Sequence, residues 1–192
     1  MARMRLKARR WSRLEYERLV EQGMFRPDER LELLDGFLVV REPQGSRYAA
    51  AVAAAHRVLV AAFGPGYHVR DQGPVALDDT SEPEPDLVVV RGEPWDYQHA
   101  HPSAPLLVVE VSDSMLALDR RDKGGLYARA GIAEYWIVNL VDRVLEIYRE
   151  PVPAPEAPYG WRYSNVRALG PSDFVSPLAA QDSRIAVAGL LP

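Results

Sequence analysis

Two apolar runs constrain this chain more than anything else in it: Leu87-Val-Val-Val90 and Leu106-Leu-Val-Val-Glu-Val111. Their β-branched side chains lose rotamer freedom in a helix and pack well on a pleated surface, so both read as strands. Neither run alternates with polar residues, and a strand apolar on both sides has to be covered on both sides. The chain supplies cover. Ser46–Phe63 is Ala-rich and almost uncharged, which predicts a mostly buried helix ended by Gly64-Pro65-Gly66, and Met115–Ala130 predicts a second helix closing at Gly131.

The remaining elements fit around this centre. Ser12 and Glu15 have capping-box spacing ahead of a short amphipathic helix to about Gln22. Arg30–Arg41 reads as a hairpin turning at Asp35-Gly36, a pair suited to a type I′ turn. Tyr67–Arg70 and Pro74–Leu77 read as short strands, Glu134–Asn139 and Arg143–Arg149 as a second hairpin, Pro151–Pro158 as a stiff loop and Trp161–Ala168 as a further strand. The expected fold is α/β (α+β mixed), one domain over residues 1–192 with a basic arm (1–14), a core (about 15–150) and a C-terminal strand and tail (151–192).

Charge and composition exclude several classes. Six of the 23 basic residues lie in residues 1–14 with no acid, leaving 17 bases against 27 acids beyond them. The arm can touch phosphates, but the whole is no polycation. The absence of cysteine rules out disulfides, thiolate zinc sites and cysteine nucleophiles. No run of apolar residues is long enough to span a bilayer, and no apolar segment backs the basic N-terminus, so a soluble cytoplasmic protein is expected.

Four polar residues stand where an apolar pattern would not put them. Asp86 lies at the mouth of the strand Leu87–Val90, after an acidic stretch (Asp78–Asp86) whose Asp78, Asp79, Glu82 and Glu84 read as a solvated loop. Glu110 interrupts a buried strand, with Ser112 on its face and Val111 on the other. Both acids call for a cation or a donor. Lys123 is one of two lysines in a chain that otherwise uses arginine, and it sits in the helical series Asp119, Lys123, Tyr127. A lysine is a compact donor that arginine does not replace. Glu32, in Leu31-Glu-Leu-Leu-Asp-Gly36, points away from its apolar neighbours by alternation, which is equally the position of a solvent-facing residue. Two carboxylates, a lysine and a third acid suit phosphodiester hydrolysis with Mg²⁺ (or Mn²⁺), a hard cation that favours carboxylates.

These residues carry a resemblance. Glu32-Leu-Leu-Asp-Gly36, Pro85-Asp-Leu-Val-Val-Val90, Val109-Glu-Val-Ser-Asp-Ser114, Asp119-x-x-x-Lys123-x-x-x-Tyr127 and Gly131-Ile-Ala-Glu-Tyr-Trp-Ile-Val-Asn139 follow in order. The set resembles the Uma-two family of restriction endonucleases, in the PD-(D/E)XK nuclease superfamily. The resemblance implies a restriction-endonuclease-like mixed sheet flanked by helices and a divalent-metal site. It implies Asp86 and Glu110 as the acidic positions, with the Val111 carbonyl as a further ligand, and Glu32 as an accessory acid. The superfamily's usual lysine falls at Ser112 here, so Lys123 would substitute from the helix or the site would be inactive. His56, His99 and His101 are read as core, surface or loop residues, since no third zinc ligand stands at a recognisable spacing.

The leading expectation is therefore a metal-dependent DNA endonuclease. Alternatives are a non-catalytic nucleic-acid-binding or structural descendant of that fold, or a carboxylate-based hydrolase of a small substrate. Cutting both strands of a duplex favours a two-fold homodimer or higher even oligomer. The basic arm and the aromatic hairpin Glu134–Arg149 are the candidate interface segments.

Overall fold

The computed structural model describes residues 8–26, 28–41 and 44–192. Its centre is a six-stranded sheet in the order β3-β4-β5-β6-β7-β8, formed by Tyr67–Asp71, Leu87–Arg91, Leu107–Ser112, Glu134–Asn139, Val144–Pro153 and Trp161–Leu169. Only β5 and β6 run parallel; every other neighbouring pair is antiparallel. A parallel pair needs a crossover, and the helical segment after β5 provides it. β1 (Leu31–Leu34) and β2 (Phe37–Val40) form a separate hairpin, and β9 (Phe174–Val175) with β10 (Ile185–Ala186) a small C-terminal one.

Period-two alternation sends side chains to two different cores. α2 (Ser46–Phe63) lays Ala51, Ala55 and Leu59 on one face of the sheet, against Leu87, Val89, Leu107, Val109, Trp136 and Leu145, and the C-terminal Val187 and Leu190 close that layer. The opposite face carries Val108, Tyr135, Ile137, Tyr148 and Tyr163 beneath Tyr127 and Ala128 of α4 (Gly124–Arg129). Two covered faces explain why the central strands lack polar alternation. Trp136 is fully buried and donates its indole N–H to Glu134 Oε1 at 2.9 Å. Trp136→Ala is expected to cost about 3–5 kcal/mol; a loss under about 1 kcal/mol in denaturant unfolding would mean that this layer is loosely packed.

Local signals held where they had a short-range mechanism. α1 (Arg13–Glu21) begins with the full Ser12/Glu15 capping box. Asp35 and Gly36 both adopt positive φ, 48° and 81°, as the type I′ turn requires. Gly36 has a second reason, because a Cβ there would lie 2.7 Å from Arg10 Cβ.

The structure differs in four places. Pro74–Leu77 is not a strand; it is held by Val75 N–H to Pro83, Leu77 N–H to Ser81 and Ala76 N–H to Pro102. Residues 151–153 belong to β7 rather than to a loop. β6 pairs with β7 only as far as Arg149, so the far side of Pro151 and Pro153 faces no neighbour and their missing N–H groups cost nothing. The helix expected over Met115–Ala130 is three pieces: α3 (Leu116–Leu118), a π-helical turn at Asp119–Lys123, and α4. In the hairpin Glu134–Arg149, Tyr135, Trp136, Ile137, Leu145, Ile147 and Tyr148 are all buried within the chain, so these residues are not the exposed apolar surface on which the expected interface rested. Of the basic arm, Arg3, Arg5 and Lys7 lie outside the described residues, whereas Arg9 pairs with Glu15, Arg10 with Asp35 and Arg13 with Glu17. No helix among the described residues is long and apolar enough to cross a membrane.

Candidate active site

The sheet register determines where the acids fall. Leu87 pairs with Val109, which sets Asp86 beside the next residues of β5. Asp86 Oδ2 accepts the Val111 N–H at 2.7 Å, and Oδ1 accepts Arg41 Nη2 at 3.0 Å together with the Tyr48 hydroxyl. Glu110 points into the same cleft from β5, and Glu32 reaches it from β1. Lys123 joins the two: its ammonium lies 3.0 Å from Glu110 Oε1 and 3.2 Å from Glu32 Oε2. Tyr127, one turn on, donates its hydroxyl to Glu110 Oε1 at 2.7 Å. Glu32 also accepts the Glu84 N–H at 3.1 Å. Asp86, Glu110, Lys123 and Glu32 thus form one cluster, each at most 4% exposed.

Glu32 keeps the alternation expected of it, but the face it points to is the cleft rather than solvent. Every residue of β1 is buried, Leu31 and Leu33 packing against Tyr16 on the other side. Asp119 is an acid that sequence reasoning noted only as part of a helical pattern. It is buried and lines the same cleft of ≈ 170 Å³. The π-helical turn widens the helix where Asp119 and Lys123 both turn inward, a feature common at functional sites. Arg41 and Tyr48 are further members that sequence reading missed; they follow the hairpin and open α2, with no pattern to separate them from ordinary loop and core residues.

Charge in the cluster is unbalanced. Four buried carboxylates (Glu32, Asp86, Glu110, Asp119) share two buried cations, Lys123 and Arg41. Burial raises the Glu110 carboxyl above its usual range even though Lys123 pulls the other way, and burial likewise lifts Asp119 to about 6. Burial works against the charge on Lys123, but Glu110, Glu32 and Asp119 outweigh it and hold the ammonium above its ordinary range. Lys123 is therefore charged at neutral pH, and the site as a whole is short of positive charge. Among the described residues no three His, Asp or Glu side chains are spaced to grip one metal ion. Ser112, at the superfamily's usual lysine position, is 1% exposed. Its hydroxyl lies toward Asp119 but has no partner in hydrogen-bonding geometry among the described residues.

The other readings resolve simply. Asp78 pairs with Arg129, and Glu84 with Arg41. Glu82, expected in a solvated loop, is 3% exposed, with Oε2 unpartnered among the described residues and Arg13 Nη1 4.0 Å away. Desolvation together with the neighbouring Glu17 pushes its carboxyl from 4.5 to about 8. The folded state then holds a proton that the unfolded chain has released, so stability falls as pH rises from about 4.5 to about 8. Glu82→Gln is expected to flatten that slope and raise Tm most above pH 8; parallel Tm–pH curves for the two proteins would reject this. His56 is a partly exposed residue 3.7 Å from Asp71, and His99 and His101 are exposed residues of a connecting segment.

Comparison with known proteins agrees with this geometry. A crystal structure titled as a putative nuclease belonging to DUF820, from Anabaena variabilis, superposes with a TM-score of 0.65 at 15% identity, covering 90% of this chain and 96% of that one. At that identity the likeness concerns the fold, which is that of a nuclease-type mixed sheet with flanking helices. No curated protein matches. The family model Uma2, described as "Putative restriction endonuclease", matches residues 14–188. Spanning nearly the whole sequence, that match places the chain in the Uma2 family of restriction-endonuclease-like nucleases.

Proposed function

We propose that this protein is an endonuclease that hydrolyses DNA phosphodiester bonds with a divalent metal ion, Mg²⁺ or Mn²⁺, at the cleft of Asp86, Glu110, Lys123 and Glu32. The observation that carries the reading is the burial of Lys123 between Glu110 and Glu32, in a cluster that also holds Asp86 and has more carboxylates than cations. Oxygen donors with unneutralised negative charge fit a hard cation. Mg²⁺ is usually held by one or two carboxylates plus waters and substrate phosphate, so a closed cage of three side chains is not required. Asp86 and Glu110 would hold the ion, with the Val111 carbonyl as a further ligand. When bound, the ion supplies Lewis-acid polarisation of the phosphoryl oxygen.

The chain's own residues do the rest. Arg41 and Tyr48 fix the Asp86 carboxylate from one side and the Val111 N–H from the other, so its orientation does not depend on the substrate. Lys123 offers a preorganised positive charge where negative charge grows on phosphorus oxygens. Glu32 positions Lys123 from the second strand layer, and Tyr127 holds Glu110. Ser112 cannot carry charge, and Lys123 supplies from the helix what serine cannot. We place the protein in the cytoplasm, as a homodimer or higher even oligomer whose interface lies outside the buried Glu134–Arg149 hairpin. The test is incubation of supercoiled plasmid and single-stranded DNA with Mg²⁺ or Mn²⁺, beside Asp86→Ala and an EDTA control. Metal-dependent conversion by the native chain alone supports the reading. No cleavage of either substrate at any metal concentration favours the non-catalytic descendant of the fold.

A further inference from the structure

We propose that Glu146, acting through Arg120, is a positioning residue: the pair sets the π-helical turn on the sheet so that Asp119 and Lys123 face the cleft. Its bearing on cleavage rests on the phosphodiester reading above, whereas the placement itself does not. The sheet register carries the argument. Glu110 of β5 pairs with Ile137 of β6, and Ile137 pairs with Glu146 of β7. The two acids therefore stand on one face in one cross-strand row, about 10 Å apart, with the buried Ile137 between them. The turn Asp119–Lys123 answers both. Lys123 reaches Glu110 at 3.0 Å. Arg120, three residues earlier, grips Glu146 in a fork, Nε to Oε2 at 3.0 Å and Nη2 to Oε1 at 2.5 Å.

Glu146 is itself fixed. It is buried, and it also accepts Asn139 Nδ2 at 2.7 Å and the Tyr148 hydroxyl at 2.6 Å. A carboxylate with that many donors keeps one orientation, and the half-exposed arginine is tied to it. The turn needs such a tie. π-helical bonding is rare and occurs mostly as single turns. Here the turn follows a helix of three residues and is followed by Gly124 and Gly125, weak helix formers. The Tyr135 hydroxyl holds its main chain at Asp119 O, 3.2 Å away. An ion pair at Lys123 alone would let the turn roll about that contact; a second pair at Arg120, on another strand, removes the roll. Glu146 thus acts on the cleft without lining it.

Arg120→Ala, Arg120→Lys and Glu146→Gln test this in the full chain with two readouts. The sequence contains two lysines, Lys7 and Lys123, so ¹⁵N-lysine labelling gives two side-chain ammonium signals, which Lys7→Arg assigns. The native Lys123 signal is expected to exchange slowly with water, being held by Glu110 and Glu32. Arg120→Ala and Glu146→Gln are expected to shift it and to speed its exchange about tenfold or more. In cleavage assays the same variants are expected to lose about 10–100-fold in kcat, with KM and Mn²⁺ affinity within about threefold of native. Arg120→Lys should recover part of the loss. A native Lys123 signal in Arg120→Ala and Glu146→Gln overturns the proposal, and so does native kcat despite a shifted signal. Loss of folded protein alone, with rate and binding capacity falling together and the Lys123 signal of the folded fraction unmoved, overturns it too. A shifted Lys123 signal in a protein that never cleaves DNA removes the nuclease reading and leaves the placement. Cleavage by the native chain with an unmoved signal in the variants removes the placement and leaves the nuclease.

Discussion

Lys123→Ala is expected to reduce metal-dependent cleavage by about 10²–10³-fold or more while divalent metal still binds. Among the described residues the lysine ammonium is the one cation within 3.2 Å of both Glu110 and Glu32, and burial forces it to be satisfied by those two acids. Removing it leaves two carboxylates facing each other without a cation, so the variant should also lose stability, by about 3–5 kcal/mol at alkaline pH. Glu110 is already raised by burial, and without Lys123 it takes up a proton more readily; the loss is therefore smaller at acid pH, where the proton compensates. Lys123→Arg should not restore activity, since the guanidinium is bulkier and the lysine side chain is enclosed, with its ammonium held between Glu110 and Glu32. Single-turnover cleavage with Mn²⁺, beside calorimetric Mn²⁺ titration, separates the two effects. Unchanged cleavage in Lys123→Ala would end the role assigned to the lysine.

Asp86→Ala is expected to abolish both cleavage and tight metal binding, and to lower stability as well. Three donors converge on this carboxylate: Arg41, the Tyr48 hydroxyl and the Val111 N–H. Truncation leaves the Val111 amide unpaired and takes from the Arg41 guanidinium one of its two carboxylates, Glu84 remaining at 3.2 Å, at a cost of about 3 kcal/mol. Asp86→Asn keeps the shape and part of the hydrogen bonding, so it should fold nearly as well and still fail to hold the metal. If Asp86→Asn cleaves like the native chain, Asp86 is a structural anchor for Arg41 and not a ligand.

The parts of the fold legible in the sequence were those with short-range causes. The Ser12/Glu15 box, the Asp35-Gly36 turn and the α2 end at Gly64 each depend on a few neighbouring residues. The central strands were legible because β-branched runs admit little else. What failed depended on distant partners. Pro151 and Pro153 are tolerated in β7 only because β6 stops pairing at Arg149, a fact of sheet length rather than of sequence. Hairpin residues Tyr135, Trp136 and Ile147 looked like interface surface because alternation cannot say that both faces of the sheet are covered.

The candidate site was half legible for the same reason. Asp86, Glu110 and Lys123 betray themselves as charges inside or against apolar patterns, and Glu32 by alternation within a buried strand. Arg41, Tyr48 and Asp119 are brought into the cleft by the end of β2, by α2 and by the π-helical turn; nothing local marks the first two, and only helical spacing to Lys123 marks the third. Glu134 and Glu146 show the converse. Both are buried acids within apolar strands, yet Arg149 and Trp136 satisfy the first, and Arg120, Asn139 and Tyr148 the second, and neither lines the cleft of Asp86 and Glu110. A buried carboxylate becomes a candidate ligand only where the surrounding cations are too few.

That deficit of cations at Asp86, Glu110, Glu32 and Asp119 is the claim on which the account stands, and one measurement addresses it directly. Crystals equilibrated with MnCl₂ should give an anomalous scattering peak within coordination distance of Asp86 and Glu110, with the Lys123 ammonium still in the cleft. A saturating Mn²⁺ concentration that leaves this position empty, or a peak only on exposed carboxylates elsewhere, would contradict it.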